Sequence, residues 1–176
     1  MIMKSEIIFS GIGGQGTILM GKMVCTAASK KGLNVTLSPA YGQEKRGGRA
    51  SCQVVISEEM GSPIISMADT ILVMDEKSFD DYEGKVKPGG TFIVNSSMIS
   101  KKASRTDINV LEIPFTEIAT EVATAKSANM VALGAVVKTL HIVDLEDAKA
   151  VVAAKMKPAL VEPNIKALEA GFNFKG

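Results

Sequence analysis

Thiols and imidazoles are scarce in this sequence, which has two cysteines and one histidine in 176 residues. An iron–sulfur cluster of the [4Fe–4S] type draws on four thiolates, often in a closely spaced run. A structural zinc site draws on about four Cys or His ligands. Cys25, Cys52 and His141 together fall short of either, so the chain is expected to hold no cluster and no zinc finger of its own. Cys25 falls in a helix pattern and Cys52 in a strand pattern, and both read as small core residues rather than a disulfide pair. His141 sits just past an apolar helix and reads as structural or surface. An excess of one charge is also missing: 20 Lys+Arg stand against 19 Asp+Glu, a net charge of +1. No global field then gathers nucleic acid or an acidic membrane, and any anion site has to be local. The longest apolar stretch, around Met130 to Val137, is far below the ~20 residues that cross a bilayer. Met1 to Lys4 lead into a strand with neither a signal-peptide core nor a small-residue cleavage site, which predicts a cytoplasmic protein.

What is present is 46% hydrophobic content in a chain long enough for one sizeable core and short for two. Glu6 to Ser10 reads as a buried strand, followed at once by Gly11-Ile12-Gly13-Gly14-Gln15-Gly16. A helix pattern comes next, with Leu19, Met20, Met23, Val24, Ala27 and Ala28 on one face, closed by Lys30, Lys31 and Gly32. Asn34 to Ser38 reads as a second strand, completing a βαβ unit of the kind that builds parallel sheets. Pro39 to Arg49 reads as a surface loop, and Ala50 to Ser57, Thr70 to Met74, Thr91 to Asn95 and Asn109 to Ile113 as further strands. Glu76 to Val86 is expected to be helical, with Asp75 and Glu76 capping it and Asp80 and Asp81 on its solvated face. From Pro114 the chain reads as helical to its end. The segment Asn129–Leu140 is apolar on nearly every side, which predicts burial within this protein or at a subunit interface. Asp144 suits an N-cap, Pro163 should begin or kink the last helix, and Gly171 should mark its end. The methionines, Met20, Met23, Met74 and Met130 among them, read as core and interface filler. These elements predict a single α/β domain over residues 1–176: Rossmann-like, a mostly parallel sheet with helices on both faces and a helical C-terminal part.

Gly11, Gly13 and Gly16 match the G-x-G-x-x-G spacing between a strand and a helix. The first permits a tight turn, the second lets a phosphate approach the backbone, and the third lets helix and strand pack closely. Free N–H groups at the helix N-terminus then favour an anion, and Gly14 adds room. A dinucleotide fold presents an acid about twenty residues on, at the end of the second strand. Here Val35 to Pro39 contains no carboxylate and Glu44 lies deeper in the loop, which argues against NAD. Gly16-Thr17 stands where a P-loop needs Gly-Lys-Ser/Thr. The loop Tyr41-Gly42-Gln43-Glu44-Lys45-Arg46-Gly47-Gly48-Arg49 opens on the same edge, so Arg46 or Arg49 is expected to meet a phosphate held at the Gly13 turn. A tight turn that binds nothing, beside a merely solvated loop, is the alternative. No nucleophile or acid–base pair is evident, and no catalytic residue is nominated.

These motifs resemble the gamma subunits of 2-oxoacid:ferredoxin oxidoreductases. The resemblance is carried by Gly11 to Gly16, Tyr41-Gly42 with Arg46-Gly47-Gly48, the strand Gln53 to Ser57, Lys87-Pro88-Gly89-Gly90, Asn129 to Gly134 and Asn164 to Gly171, in that order along almost the whole chain. Gln43 departs from the proline that many relatives carry. The resemblance implies a subunit that is inactive alone and belongs to a complex oxidising a 2-oxoacid, with 2-oxoglutarate preferred. Alpha and beta chains would carry thiamine diphosphate, a ferredoxin-like delta chain and its partners the [4Fe–4S] clusters, and ferredoxin would accept electrons. Coenzyme A is the cosubstrate implied for this chain, with Gly11, Gly13, Gly14, Gln15, Gly16, Tyr41, Arg46, Gly47, Gly48 and Arg49 as its binding residues. Isolated, the chain is expected to form a homo-oligomer. An independent NAD(P)-binding oxidoreductase and a purely structural assembly subunit are the rival readings.

Overall fold

The first strand, β1 (Lys4–Ile12), is buried from Glu6 to Gly11. A near-continuous apolar run suits the middle of a sheet covered on both faces. The computed structural model, which describes residues 3–43 and 47–176, places it there. Helix α1 (Thr17–Lys30) follows, then strands β2 (Asn34–Tyr41), β3 (Arg49–Ser57) and β4 (Ala68–Val73). Helix α2 (Glu76–Tyr82) leads through a short 3-10 turn into β5 (Val86–Asn95) and β6 (Asn109–Ile113). Four helices close the chain: α3 (Phe115–Val122), α4 (Ala128–Leu140), α5 (Leu145–Lys155) and α6 (Pro158–Phe172). The α/β class and the helical C-terminal part are as expected.

The sheet runs β2-β3-β1-β4-β5-β6, and its pairing corrects the expected parallel βαβ unit. β1 and β2 point the same way but do not touch, because β3 lies between them, antiparallel to both. The remaining pairs, β1–β4, β4–β5 and β5–β6, are parallel. The short 42–48 connection explains the hairpin, since a parallel neighbour would need a crossover of a dozen or more residues. β2 also outlasts its expected end at Ser38: Pro39, Ala40 and Tyr41 pair with Cys52, Ser51 and Ala50. Proline is tolerated there because β2 is an edge strand. The helix expected over 76–86 stops at Tyr82, and Val86 already belongs to β5.

Helices cover both faces, unequally. Ile7, Phe9, Val54, Leu72 and Ile93 face α1 and α4, against which α3, α5 and α6 pack in turn. Ile8, Val55, Ile71, Val73 and Phe92 face α2, whose Phe79 ring lies 5.2 Å from that of Phe92. The all-round apolar α4 is buried without interruption from Met130 to Val137, between the sheet and α1, α3, α5 and α6. Of its two expected roles, burial within the chain is the one observed for Met130 to Val137. Two further expectations change. Helix α6 begins at Pro158, whose missing N–H costs nothing at the first helical position, so Pro163 lies inside the helix and does not begin it. Gly171 does not end the helix, which runs to Phe172; it is where α6 meets the backbone of α4. Asp144 caps α5 as expected, accepting from Asp147 N–H at 2.8 Å while Asp147 accepts from Asp144 N–H at 3.0 Å. Asp80 and Asp81 are exposed as expected, yet each is ion-paired, to Lys101 and Arg49.

Cys25 and Cys52 are both free and buried, the first on α1 and the second in β3. Burial pushes the Cys25 thiol up to about 11, and burial with the neighbouring Cys25 pushes Cys52 to about 12. At pH 8 the thiolate fraction is then about a thousandth or less. Iodoacetamide is expected to leave the native protein unlabelled over the time in which it labels both thiols in urea. Mass spectrometry showing two labels on the folded chain would contradict their placement in the core.

Candidate functional site

The glycine turn is built from the end of β1 and the start of α1. Gln15 N–H donates to Ile12 C=O at 3.2 Å, and the Gln15 side-chain oxygen accepts from Ile12 N–H at 2.7 Å. Gln15 thus closes the turn with its amide oxygen. Gly11 is buried under it, where a Cβ would press on Gln15 Oε1 at 2.5 Å and Met74 Cβ at 3.1 Å. Its role is packing, and it does not line the cavity described below.

Gly13 is tied to the β2–β3 loop, its N–H donating to Gly48 C=O at 2.8 Å. The expected meeting of the glycine turn with the loop is therefore present. The same bond removes the Gly13 amide from the donors available to a ligand. Gly14 (φ 92°) and Gly16 (φ 76°) occupy left-handed backbone that L side chains rarely adopt. Gly16 is the N-cap of α1, with no side-chain cap and no acid in the first turn. The hydrogen-bond ladder starts at Met20 N–H to Gly16 C=O, 3.0 Å. The amides of Thr17, Ile18 and Leu19 precede it, giving α1 a positive end aimed at the cavity. Thr17 Oγ1 donates to Ala50 C=O at 2.9 Å and fixes that helix end to β3.

These parts enclose a cavity of about 510 Å³, with Gly13, Gly14, Gly16 and Thr17 to Leu19 on one side and Tyr41, Gly42 and Gly47 to Ala50 on the other. No carboxylate lines it among the described residues. Asn129, at the start of α4, is a wall that the sequence reading missed. Its amide nitrogen sits over Gly16, well inside the distance a Cβ there would need. Its only signal was its place in the Asn129–Gly134 motif.

Arg49 lines the cavity, but its guanidinium does not turn to Gly13. It forms an ion pair with Asp81 of α2 on the far face of the sheet, and its Nε has no hydrogen-bond partner among the described residues. Tyr41 is exposed at the mouth, and Gly42 N–H donates to Arg49 C=O at 2.7 Å, holding the base of the loop. Arg46, nominated with Arg49, lies outside the described residues. Asp75, at the N-cap of α2, accepts from Ser78 Oγ at 2.5 Å, and Ser10 Oγ is 2.9 Å from that same oxygen. Among the described residues no histidine or thiol lines this cavity, and its backbone amides suit an anion.

Residues 6–174 match the family model described as pyruvate ferredoxin/flavodoxin oxidoreductase. The 2-oxoglutarate synthase subunit KorC of Methanocaldococcus jannaschii is 32% identical, over 97% of this chain and 93% of that protein. The ketoisovalerate oxidoreductase subunit VorA of Methanothermobacter thermautotrophicus is 35% identical over 94% of this chain, which spans only about a third (35%) of its length. Among solved structures, the keto/oxoacid ferredoxin oxidoreductase gamma subunit of Geobacter sulfurreducens superposes with a TM-score of 0.85 at 34% identity, covering 97% of this chain and 95% of that one. The 2-oxoglutarate:ferredoxin oxidoreductase of Magnetococcus marinus, solved with 2-oxoglutarate, coenzyme A and succinyl-CoA bound, superposes with a TM-score of 0.88 at 25% identity, over 96% of this chain and 30% of that one. A match along nearly the whole chain, in sequence and in fold, leads to one conclusion: the chain belongs to the pyruvate ferredoxin/flavodoxin oxidoreductase family, alongside its gamma-type subunits.

Proposed function

We propose that the chain is the gamma subunit of a cytoplasmic 2-oxoacid:ferredoxin oxidoreductase and that its glycine-turn cavity holds phosphate groups of coenzyme A. The complex would oxidatively decarboxylate 2-oxoglutarate, transferring the acyl group to coenzyme A and two electrons to ferredoxin. Thiamine diphosphate and the [4Fe–4S] clusters would sit on alpha, beta and delta partner chains. The observation that carries the reading is the uncapped N-terminus of α1, opening on a cavity without carboxylates. Backbone N–H groups of Thr17 to Leu19 would hold the phosphate, with the Asn129 amide beside them. The KorC relative and the coenzyme A-bound Magnetococcus structure support the substrate and the cosubstrate. Without its partners the chain has an exposed apolar surface for self-association, in Met60, Ile64 and Met67 between β3 and β4.

The NAD(P) reading is weaker in this fold. The strand that follows α1, β2, is kept one place away from β1 by the antiparallel β3, and its end at Ser38 to Tyr41 carries no carboxylate where the ribose-binding acid belongs. Calorimetric titration of the purified chain and of the assembled complex with coenzyme A, NADH and NADPH separates the three readings. Coenzyme A is expected to bind the complex, and neither nicotinamide nucleotide to bind either form. Binding of NADH or NADPH alone would replace this reading with a dehydrogenase. Binding of none would leave an assembly subunit. Turnover of the complex with 2-oxoglutarate, set beside pyruvate and ketoisovalerate, tests the substrate.

A further inference from the structure

A second groove, of about 820 Å³, lies away from the glycine turn, along β6. β6 ends the sheet and pairs only with β5. Four consecutive β6 residues, Val110 to Ile113, line the groove, so the strand presents its backbone edge and not merely alternate side chains. One wall comes from Ala135 and Lys138 of α4 with Phe174 beyond α6, the other from Lys102, Ala103 and Arg105 ahead of β6. The floor is apolar, and Leu111 is 40% exposed there. The free edge is walled on both faces, and its unpaired N–H and C=O groups are the template for an added strand.

The charges select the occupant. Lys102, Arg105, Lys138 and Lys175 line the groove against one side-chain carboxylate, Glu112. Glu112 is already held by Lys102 at 2.6 Å, and Arg105 is forked onto Asp107 at 2.7 and 2.9 Å. Lys138 reaches only the Phe174 carbonyl, at 3.5 Å, and neither it nor Lys175 has a carboxylate partner among the described residues. A second copy docked edge to edge would set its own Lys102, Arg105, Lys138 and Lys175 beside these and be repelled, while its β6 offers only Glu112 in return. We propose that the β6 groove is a strand-addition site for an extended, acidic segment of a partner chain.

The inference does not depend on what the glycine turn binds. The probe is a fluorescent peptide of about ten residues alternating glutamate with valine and threonine, long enough to cover β6. Anisotropy should show saturable binding to the full chain. A version with lysine in place of glutamate should bind about tenfold more weakly or worse. The Lys138→Glu/Lys175→Glu double variant, melting like the parent, should lose a similar factor for the acidic peptide. Amide hydrogen exchange over 109–113 should slow in the bound state. Equal binding of both peptides, an unaffected double variant, unchanged exchange over 109–113, or no binding up to about 1 mM would each overturn the proposal.

Discussion

Gly171→Ala is expected to destabilise the chain by about 3–5 kcal/mol, among the largest effects a single methyl group produces. Helices α4 and α6 cross with their backbones in contact. A Cβ on Gly171 would fall well inside the radius of Val131 O, and one on Gly134 inside that of Leu168 O and Phe172 N, 2.7 Å away. The obstructing atoms are backbone, so no side-chain rotation relieves the clash and the helices must separate. Separation also loosens the surroundings of Met130, Val131, Leu133, Ala167 and Leu168, each 1% exposed or less. For a chain of this size the melting midpoint should fall by about 10 °C. Gly84→Ala is the control, since a Cβ there meets nothing within 4 Å and its φ is not left-handed. Should Gly171→Ala melt like Gly84→Ala, the close crossing of the two helices is wrong.

Gly13→Val should weaken coenzyme A binding to the assembled complex by more than about a hundredfold while leaving the melting midpoint unchanged. Position 13 is exposed, its φ lies outside the left-handed region, and a Cβ there meets only Gly48 O, at an ordinary 3.6 Å. The valine is therefore tolerated by the fold and stands in the cavity where a phosphate would approach the α1 amides. Losing one charge-assisted hydrogen bond forfeits about 1.5–3 kcal/mol, and exclusion of the phosphate removes more than one. Gly16→Val is the poorer probe, since its left-handed φ and the Asn129 amide would break the turn itself. Arg46→Ala should cost about one to two orders of magnitude if its guanidinium pairs with a second phosphate. Parent-like affinity in Gly13→Val would make the Gly13–Gly48 bond purely structural and move the coenzyme elsewhere.

The elements that sequence alone revealed are those set by local rules. The run Glu6 to Ser10, the Lys30-Lys31-Gly32 stop and the Asp144 cap each depend on neighbours a few residues away, and each is found in place. Strand pairing obeys no such rule, so the insertion of β3 between β1 and β2 was not legible from the order of elements. Gly171 misled because a glycine near a helix end has two uses, and only the path of α4 tells a stop from a crossing. Of the site, the contact between the glycine turn and the loop was legible, because both leave the same edge of the sheet. The direction of Arg49 was legible too, had strand alternation been applied to it. Arg49, Ser51, Gln53 and Val55 share a face, and Val55 packs in the core layer beneath α2. Asn129 was hidden because it enters from a helix more than a hundred residues later in the chain.

The insertion of β3 also dictates an order of events during synthesis. β1 is the first strand made and the centre of the sheet, yet its partners are residues 49–57 and 70–73. When β1 and α1 have left the ribosome, nothing exists for the central strand to bond with. The β2–β3 hairpin closes over residues 42–48 and is local, whereas β1 must wait for contacts across a much longer loop. A nascent chain halted after β3 would hold Ile7, Ile8 and Phe9 in a strand with one open edge and no β4 to cover it. Such a fragment is built to aggregate or to be captured by a chaperone, and an interrupted translation product of this protein carries that liability until β4 has emerged.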